Sequence, residues 1–166
     1  MQQSLEQIAL DNTDFLILEQ LQKDASLTNQ MLAELVLTSP PTCLRRVKRL
    51  KDAGLIERQI AILSVDKLAP LIGHGLTAIV EITLDRQDAQ NLEVFEKRIA
   101  ADPAVQQCYR VSPGPDFVLI VFATDMPAFQ ALSQRLFSAD ANVRNVKAFF
   151  SVKRGKFEPQ IALPVN

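Results

Sequence analysis

The sequence is poor in the residues on which most catalytic and metal sites are built. Its 166 residues hold two cysteines and one histidine. Cys43 and Cys108 are too few for a disulfide framework in a chain of this length, which fits a reducing compartment. They also lack the spacing of metal ligands. His74 stands between Gly73 and Gly75 with no identifiable partner, and a general base needs one. Gly73-His74-Gly75 is no dinucleotide loop either, because no third glycine or helix follows at the required spacing. No catalytic residue, metal ligand or cofactor is therefore expected. A run of about 18 apolar residues is missing as well, which excludes a membrane-spanning helix. Glu6, Asp11 and Asp14 stand where a secretory leader would carry bases and then an apolar stretch. Finally, no sign of charge dominates: 18 Lys and Arg against 19 Asp and Glu give a net charge of −1.

What is present is apolar content and an uneven distribution of charge. Apolar residues make up 48% of the chain, enough for a packed core in one large domain or two small ones. Up to Leu37, Lys23 alone faces Glu6, Asp11, Asp14, Glu19, Asp24 and Glu34. From Thr38 to Arg58 the balance reverses: Arg45, Arg46, Lys48, Arg49, Lys51 and Arg58 face only Asp52 and Glu57. The rest of the chain is balanced. A short basic segment on a near-neutral chain is the footprint of a small DNA-contacting element. Its bland counterpart is a solvated helix face, and the local context decides between them.

That context is three short helices. Asp11 can cap a first helix, with Asp14 answering it three residues on as in a capping box. Phe15, Leu18 and Leu21 recur on its inner face, widened by Leu16 and Ile17. Thr28 can cap a second, whose apolar face is Leu32, Leu35 and Val36. Ser39 before Pro40 and Pro41 starts a third, since proline loses nothing at the first helical position. It runs to about Ala53, where Gly54 suits a left-handed end. Cys43, Val47 and Leu50, with Leu44 beside them, should face the core. Thr42, Arg45, Arg46 and Arg49 should face outward, toward phosphates and guanine edges. Three helices with bases on the last predict a helix-turn-helix. Leu55 to Leu63 alternates loosely and predicts a wing strand, with Arg58 near the DNA backbone.

Ser64 to Gly75, with Pro70, Gly73 and Gly75 and no clear period, is expected to be a hinge. Beyond it the pattern predicts β-α-β-β-α-β. The first strand buries Leu76, Ala78, Val80, Ile82 and Leu84. A helix over 90–101 turns Leu92, Phe95 and Ile99 inward, with Val94 at its margin. Strands follow at Val105 to Val111 and Phe117 to Ala123, joined by the tight turn Ser112-Pro113-Gly114-Pro115. Asp125 caps a helix to about Phe137 with Met126, Phe129, Leu132 and Leu136 inward. The last strand, Asn142 to Lys153, buries Val146, Ala148, Phe150 and Val152. This is the order of a ferredoxin-like sheet with helices on one face. Ile79, Tyr109 and Phe149 lie on the opposite parity, an apolar face that a homodimer would cover. The expected domains are 1–63 and 76–166, with 64–75 between them.

These residues resemble the leucine-responsive/asparagine-activator (Lrp/AsnC) family of transcription regulators over almost the whole chain. Leu10, Asp11, Asp14, Ile17, Leu18, Leu21, Gln22, Lys23 and Asp24 are similar to its opening helix. Thr28, Asn29, Leu32 and Ala33 are similar to its second. Ser39, Pro40, Cys43, Leu44, Arg46, Val47, Lys48, Arg49, Leu50, Gly54 and Ile56 are similar to its recognition helix and wing. Phe95-Glu96, Pro103, Val105, Cys108-Tyr109, Val111, Gly114, Asp116-Phe117 and Asp125-Met126 are similar to its effector domain. The resemblance implies an α+β chain: a winged helix-turn-helix, then a ferredoxin-like effector and oligomerisation domain. It implies a sequence-specific regulator that is no enzyme and has no membrane partner, in the cytoplasm with the nucleoid. Its partners would be double-stranded DNA and further copies of itself, as dimers and often four dimers in an octameric ring. DNA would be met by Ser39, Thr42, Arg45, Arg46, Lys48, Arg49 and Arg58.

The resemblance also implies a small effector such as an amino acid. By position it falls at Ser112, Pro113, Gly114 and Asp116, with Asp125 and Met126 nearby, at a contact between dimers. Exposed backbone N–H groups there could bind a carboxylate, and Asp116 an ammonium. The more ordinary jobs of Asp116 and Asp125 are turn stabilisation and helix capping, because turn aspartates usually serve the local backbone. Two departures from the family pattern occur. Leu37 and Thr38 replace the usual glycine and leucine of the helix-turn-helix turn, and a bulky residue in a left-handed turn is strained. Pro113 replaces a glycine of the effector turn and removes an N–H donor. The alternative function is a small-molecule-sensing or assembly protein whose helix-turn-helix is a protein contact. Salt separates the two, because only phosphate contacts weaken steeply with it.

Overall fold

The computed structural model describes residues 9–165. Residues 1–8 and 166, at the outer ends of the two expected domains, lie outside the described residues. Contacts divide the chain into two compact units. One runs to Ile62 and takes in Phe157 onward; the other is Leu63–Lys156. The final residues therefore group with the first unit rather than with the second, as 76–166 would have it. They do so through Gln22, whose side-chain amide donates to the Ile161 carbonyl at 2.9 Å and accepts from its N–H at 3.0 Å.

The first unit holds three helices, α1 (Asn12–Lys23), α2 (Asn29–Leu35) and α3 (Pro40–Asp52). Asp11 and Asp14 form the reciprocal capping box on α1, and the Thr28 hydroxyl accepts from Met31 N–H at the start of α2. Ser39 occupies the cap position of α3, but its hydroxyl donates to Thr42 Oγ1 at 2.8 Å instead of capping. Two prolines open that helix, so the first turn has few N–H groups left to cap. The core is Ile17, Leu32, Ala33, Val36, Cys43 and Leu50. Leu35 and Leu44, expected in the core, are 53% and 60% exposed. Leu37 takes φ 52° in the turn between α2 and α3, where it is 95% exposed. The left-handed turn is thus made by leucine at a steric cost of about 1 kcal/mol. After Gly54 (φ 72°) the chain runs through 55–63 without forming the expected wing strand, exposed except at Ile56, which packs against the core. Ile60 and Ile62 alternate, but alternation without a ladder partner makes no strand.

In the second unit the expected hinge contains a helix, α4 (Val65–Ile72), capped by Ser64 and ended by Gly73 at φ 87°. Pro70 removes one ladder bond from it rather than stopping it. A four-stranded antiparallel sheet follows in the order β2-β3-β1-β4. Its strands are β1 (Leu76–Leu84), β2 (Val105–Arg110), β3 (Phe117–Ala123) and β4 (Val143–Phe150), and its helices are α5 (Ala89–Ala100) and α6 (Met126–Ser133). A π-helical turn at Gln134–Ser138 continues α6. Alternate residues of β1 and β3 meet Phe95, Ile99, Phe129, Leu132, Leu136 and Phe137 in the core. Val94, Met126 and Val152, placed inward by periodicity, are 61%, 43% and 101% exposed. β4 ends at Phe150, so Val152 lies beyond the pleat that would have turned it inward. Phe150, at the strand's last position, is partly exposed yet packs edge-on against Phe129 at 5.0 Å. On the open face the register aligns Phe149, Ile79 and Ile120 in one row across three strands.

Candidate functional site

The basic helix α3 has two outward ridges, and they are chemically unlike. The first points at α1. Arg46 Nη1 donates to both carboxylate oxygens of Asp11 at 2.8 Å and to Asp14 Oδ1 at 2.9 Å. Arg49 Nη2 donates to Asp14 Oδ2. The Asp14 carboxylate is fully buried, and it also accepts the Asp11 N–H of the capping box. Three donors therefore compensate its burial, as a buried charge requires. The Arg46 guanidinium beside Asp11 holds that carboxyl below the usual aspartate range, and Asp11 in turn raises Arg46. The expectation that Arg46 points freely outward is thus corrected. Its side chain is only 23% exposed, and its Nε is buried without a partner among the described residues. The reason is geometric: Arg46 is one turn before Leu50, and its ridge meets the acidic N-terminus of α1 before it meets solvent. Arg49 is shared: one nitrogen on Asp14, yet a side chain 45% exposed.

The second ridge is Pro41, Leu44, Arg45 and Lys48, at i, i+3, i+4 and i+7, all exposed. Among the described residues, neither Arg45 nor Lys48 has an acidic partner. Arg45, Lys48 and Arg49 line one shallow surface depression with Asp52 and Ala53. Ser39 and Thr42 pair their hydroxyls at the start of the same helix. Asn29 ties that start to α2 by donating to the Pro40 carbonyl at 2.8 Å. Arg58 is exposed on the extended segment after α3. The ridge offers cations and one leucine, and the sequence reading missed the leucine because its i+1 position beside Cys43 looked apolar enough for the core.

The turn Ser112–Asp116 presents less. Ser112, Pro113 and Gly114 are exposed, with a cis bond before Pro113 and φ 124° at Gly114. The Asp116 carboxylate, read from the sequence as a turn stabiliser or an ammonium partner, serves the local backbone here: Oδ2 accepts from Leu84 N–H at 2.7 Å and from Gln87 Nε2 at 3.2 Å. Its backbone N–H donates to the Ile82 carbonyl at 2.8 Å. Asp125 caps α6 by accepting from Ala128 N–H at 2.7 Å. Met126 projects from the first turn of α6, 43% exposed. Gln87 is the participant the sequence reading missed. Cys43 and Cys108 are free thiols, each pushed up by burial. Among the described residues no His/Cys/Asp/Glu cluster could hold a metal ion, and no helix is long and apolar enough to cross a membrane.

Comparison with known proteins matches both halves. Residues 10–57 fit the winged helix-turn-helix DNA-binding model, and residues 77–161 fit that of the Lrp/AsnC ligand binding domain. The chain is 35% identical to a leucine-responsive regulatory protein of Rhizobium meliloti, over 94% of this chain and 97% of that one. Among solved structures it is similar to a Neisseria meningitidis transcriptional regulator in complex with L-Met. That similarity has 32% identity, covers 94% and 98% of the two chains, and has TM-score 0.77. It is also similar to an AsnC family transcriptional regulator of Agrobacterium tumefaciens, at 28% identity, covering 92% and 97%, with TM-score 0.80.

Proposed function

We propose, for a chain that belongs to the Lrp/AsnC family of transcription regulators, that the ridge Pro41-Leu44-Arg45-Lys48 is the surface laid in the DNA major groove. The chain is a DNA-binding transcription regulator with an amino-acid-type effector domain. The observation that carries the ridge assignment is that Arg45 and Lys48 are exposed and, among the described residues, without acidic partners, whereas Arg46 is spent on Asp11 and Asp14. Arg49, Ser39, Thr42 and Arg58 flank the ridge and supply phosphate contacts. Arg46 acts through α1: it fixes the angle of α3 and is a positioning residue. A salt titration of DNA binding tests this. Log affinity should fall with log salt by about 0.9 per phosphate neutralised. Arg45→Ala and Lys48→Ala should each lessen the slope by about one unit. Binding that ignores salt would favour a protein contact instead.

The effector is a small amino acid or a close analogue, in keeping with the L-Met bound to the Neisseria relative. Its site includes the turn Ser112, Pro113, Gly114 and Asp116, together with Asp125 and Met126. With Pro113 and Pro115 lacking N–H groups, Ser112 and Gly114 supply the backbone donors. A thermal-shift screen of the twenty amino acids tests this by mass action. The row Phe149-Ile79-Ile120, with Tyr109 beside it, is covered by a second copy, and such dimers assemble further. Charged substitution of Ile79 and Phe149 together should give monomers in sedimentation. We place the regulator in the cytoplasm, on the chromosome, with regulation rather than catalysis as its activity.

A further inference from the structure

We infer that Leu44 reads thymine: its isobutyl group meets the C5-methyl of a thymine base when α3 lies in the major groove. The inference rests on the ridge assignment above and deepens it. Leu44 is 60% exposed on a helix whose core side is already made by Cys43 and Leu50, both fully buried. It is not part of the core of its own unit, and it exposes apolar surface to water at a cost.

Its neighbours identify the partner. Arg45 follows it directly and Lys48 stands one turn on, both exposed. Pro41 stands one turn before. A leucine fenced by two cations that have no acidic partner among the described residues is a poor fit to an apolar protein surface, because docking there would strand both charges. It fits a polyanion that carries apolar groups at its floor. Duplex DNA is such a surface: phosphates line the rims, and the thymine methyl is the apolar group displayed in the major groove. Arg45 and Lys48 then supply affinity, and Leu44 supplies discrimination between base pairs.

The test uses the full-length chain and needs no known operator. Random duplex DNA is enriched on the wild-type protein, and each thymine of the selected site is replaced in turn by deoxyuridine, which lacks only the methyl. Wild-type binding should weaken about fourfold at each contacted thymine, the worth of one buried methyl. Leu44→Ala should bind thymine and deoxyuridine versions equally while keeping the salt slope and circular dichroism of the wild type. Leu44→Met, which keeps an apolar side chain, should retain the methyl preference. Salt-sensitive binding in which no deoxyuridine weakens the wild type, or in which Leu44→Ala shows the same penalty, would overturn this assignment alone. Binding that ignores salt would overturn the ridge reading, and this inference with it.

Discussion

Helix α3 and the turn Ser112–Asp116 carry the two candidate sites, and they use their polar side chains in opposite ways. A helix satisfies its own backbone, so outward side chains are left for other partners. Arg45 and Lys48 illustrate this. A turn leaves backbone groups unsatisfied, and nearby carboxylates are drawn to them. Asp116 serves Leu84 N–H, and Asp125 serves Ala128 N–H. The difference teaches that a polar residue on a helix ridge is available until another helix claims it, as α1 claims Arg46. A polar residue in a turn is committed until a ligand displaces what it holds.

Five measurements would sharpen or break this contrast. The largest effect is expected at the clasp on α1. Asp14→Ala should destabilise the first unit by about 3 kcal/mol in urea unfolding, because it removes a buried carboxylate that pairs two arginines and completes a cap. Next comes the turn. Asp116→Ala should destabilise by about 2 kcal/mol, since it strips a charged acceptor from the Leu84 N–H. Unchanged stability with lost effector response would instead make Asp116 a free ligand group and break the comparison. On the exposed ridge, Arg45→Ala should weaken DNA binding about tenfold at low salt while moving stability by less than about 0.5 kcal/mol. A large stability loss there would erase the distinction between the ridges.

Smaller still, Leu37→Gly should stabilise by about 1 kcal/mol, because glycine takes the left-handed turn without the clash of a Cβ. Thermal unfolding measures it. The smallest effect is in acid. Asp11 has its carboxyl lowered chiefly by the hydrogen bond from Arg46. Its contribution is therefore present above the ordinary aspartate range and lost as pH falls through the lowered folded-state value. The urea midpoints of the wild type and Asp11→Asn should differ at pH 7 and converge below about pH 4. A difference that persists at low pH would show that the charge is not what Asp11 supplies.

Local signals carried much of the fold. Asp11 with Asp14, Thr28 and Asp125 each announce a helix start through a side chain that accepts from the first turn, and Gly54 announces an end through its left-handed backbone; each does so in the structure. Strand β3 runs from Phe117 to Ala123 as its apolar run indicates. Failures occur where the deciding partner is remote or missing. Residues 55–63 alternate like a strand but find no ladder. Ser64–Ile72 looks irregular because Pro70 and the flanking glycine mask a short helix. Met126, Leu35 and Leu44 keep helical spacing at positions left largely open to solvent. At the candidate sites, residue type and periodicity were legible for the basic helix, but not which of its arginines would be taken by α1.

Outside residues 55–73, the amino-acid order by itself determined the succession of helices and strands, most of the capping groups and the clustering of positive charge on one short helix. Those properties reside in neighbouring residues and in the periods of 3.6 and 2. Only tertiary structure decided that Arg46 is a brace and Arg45 an exposed cation, that Asp116 is bonded to Leu84, and that Leu44 faces solvent. Each depends on what another segment brings within hydrogen-bonding or packing distance, and those partners are 32 residues away for Asp14 with Arg46 and for Leu84 with Asp116.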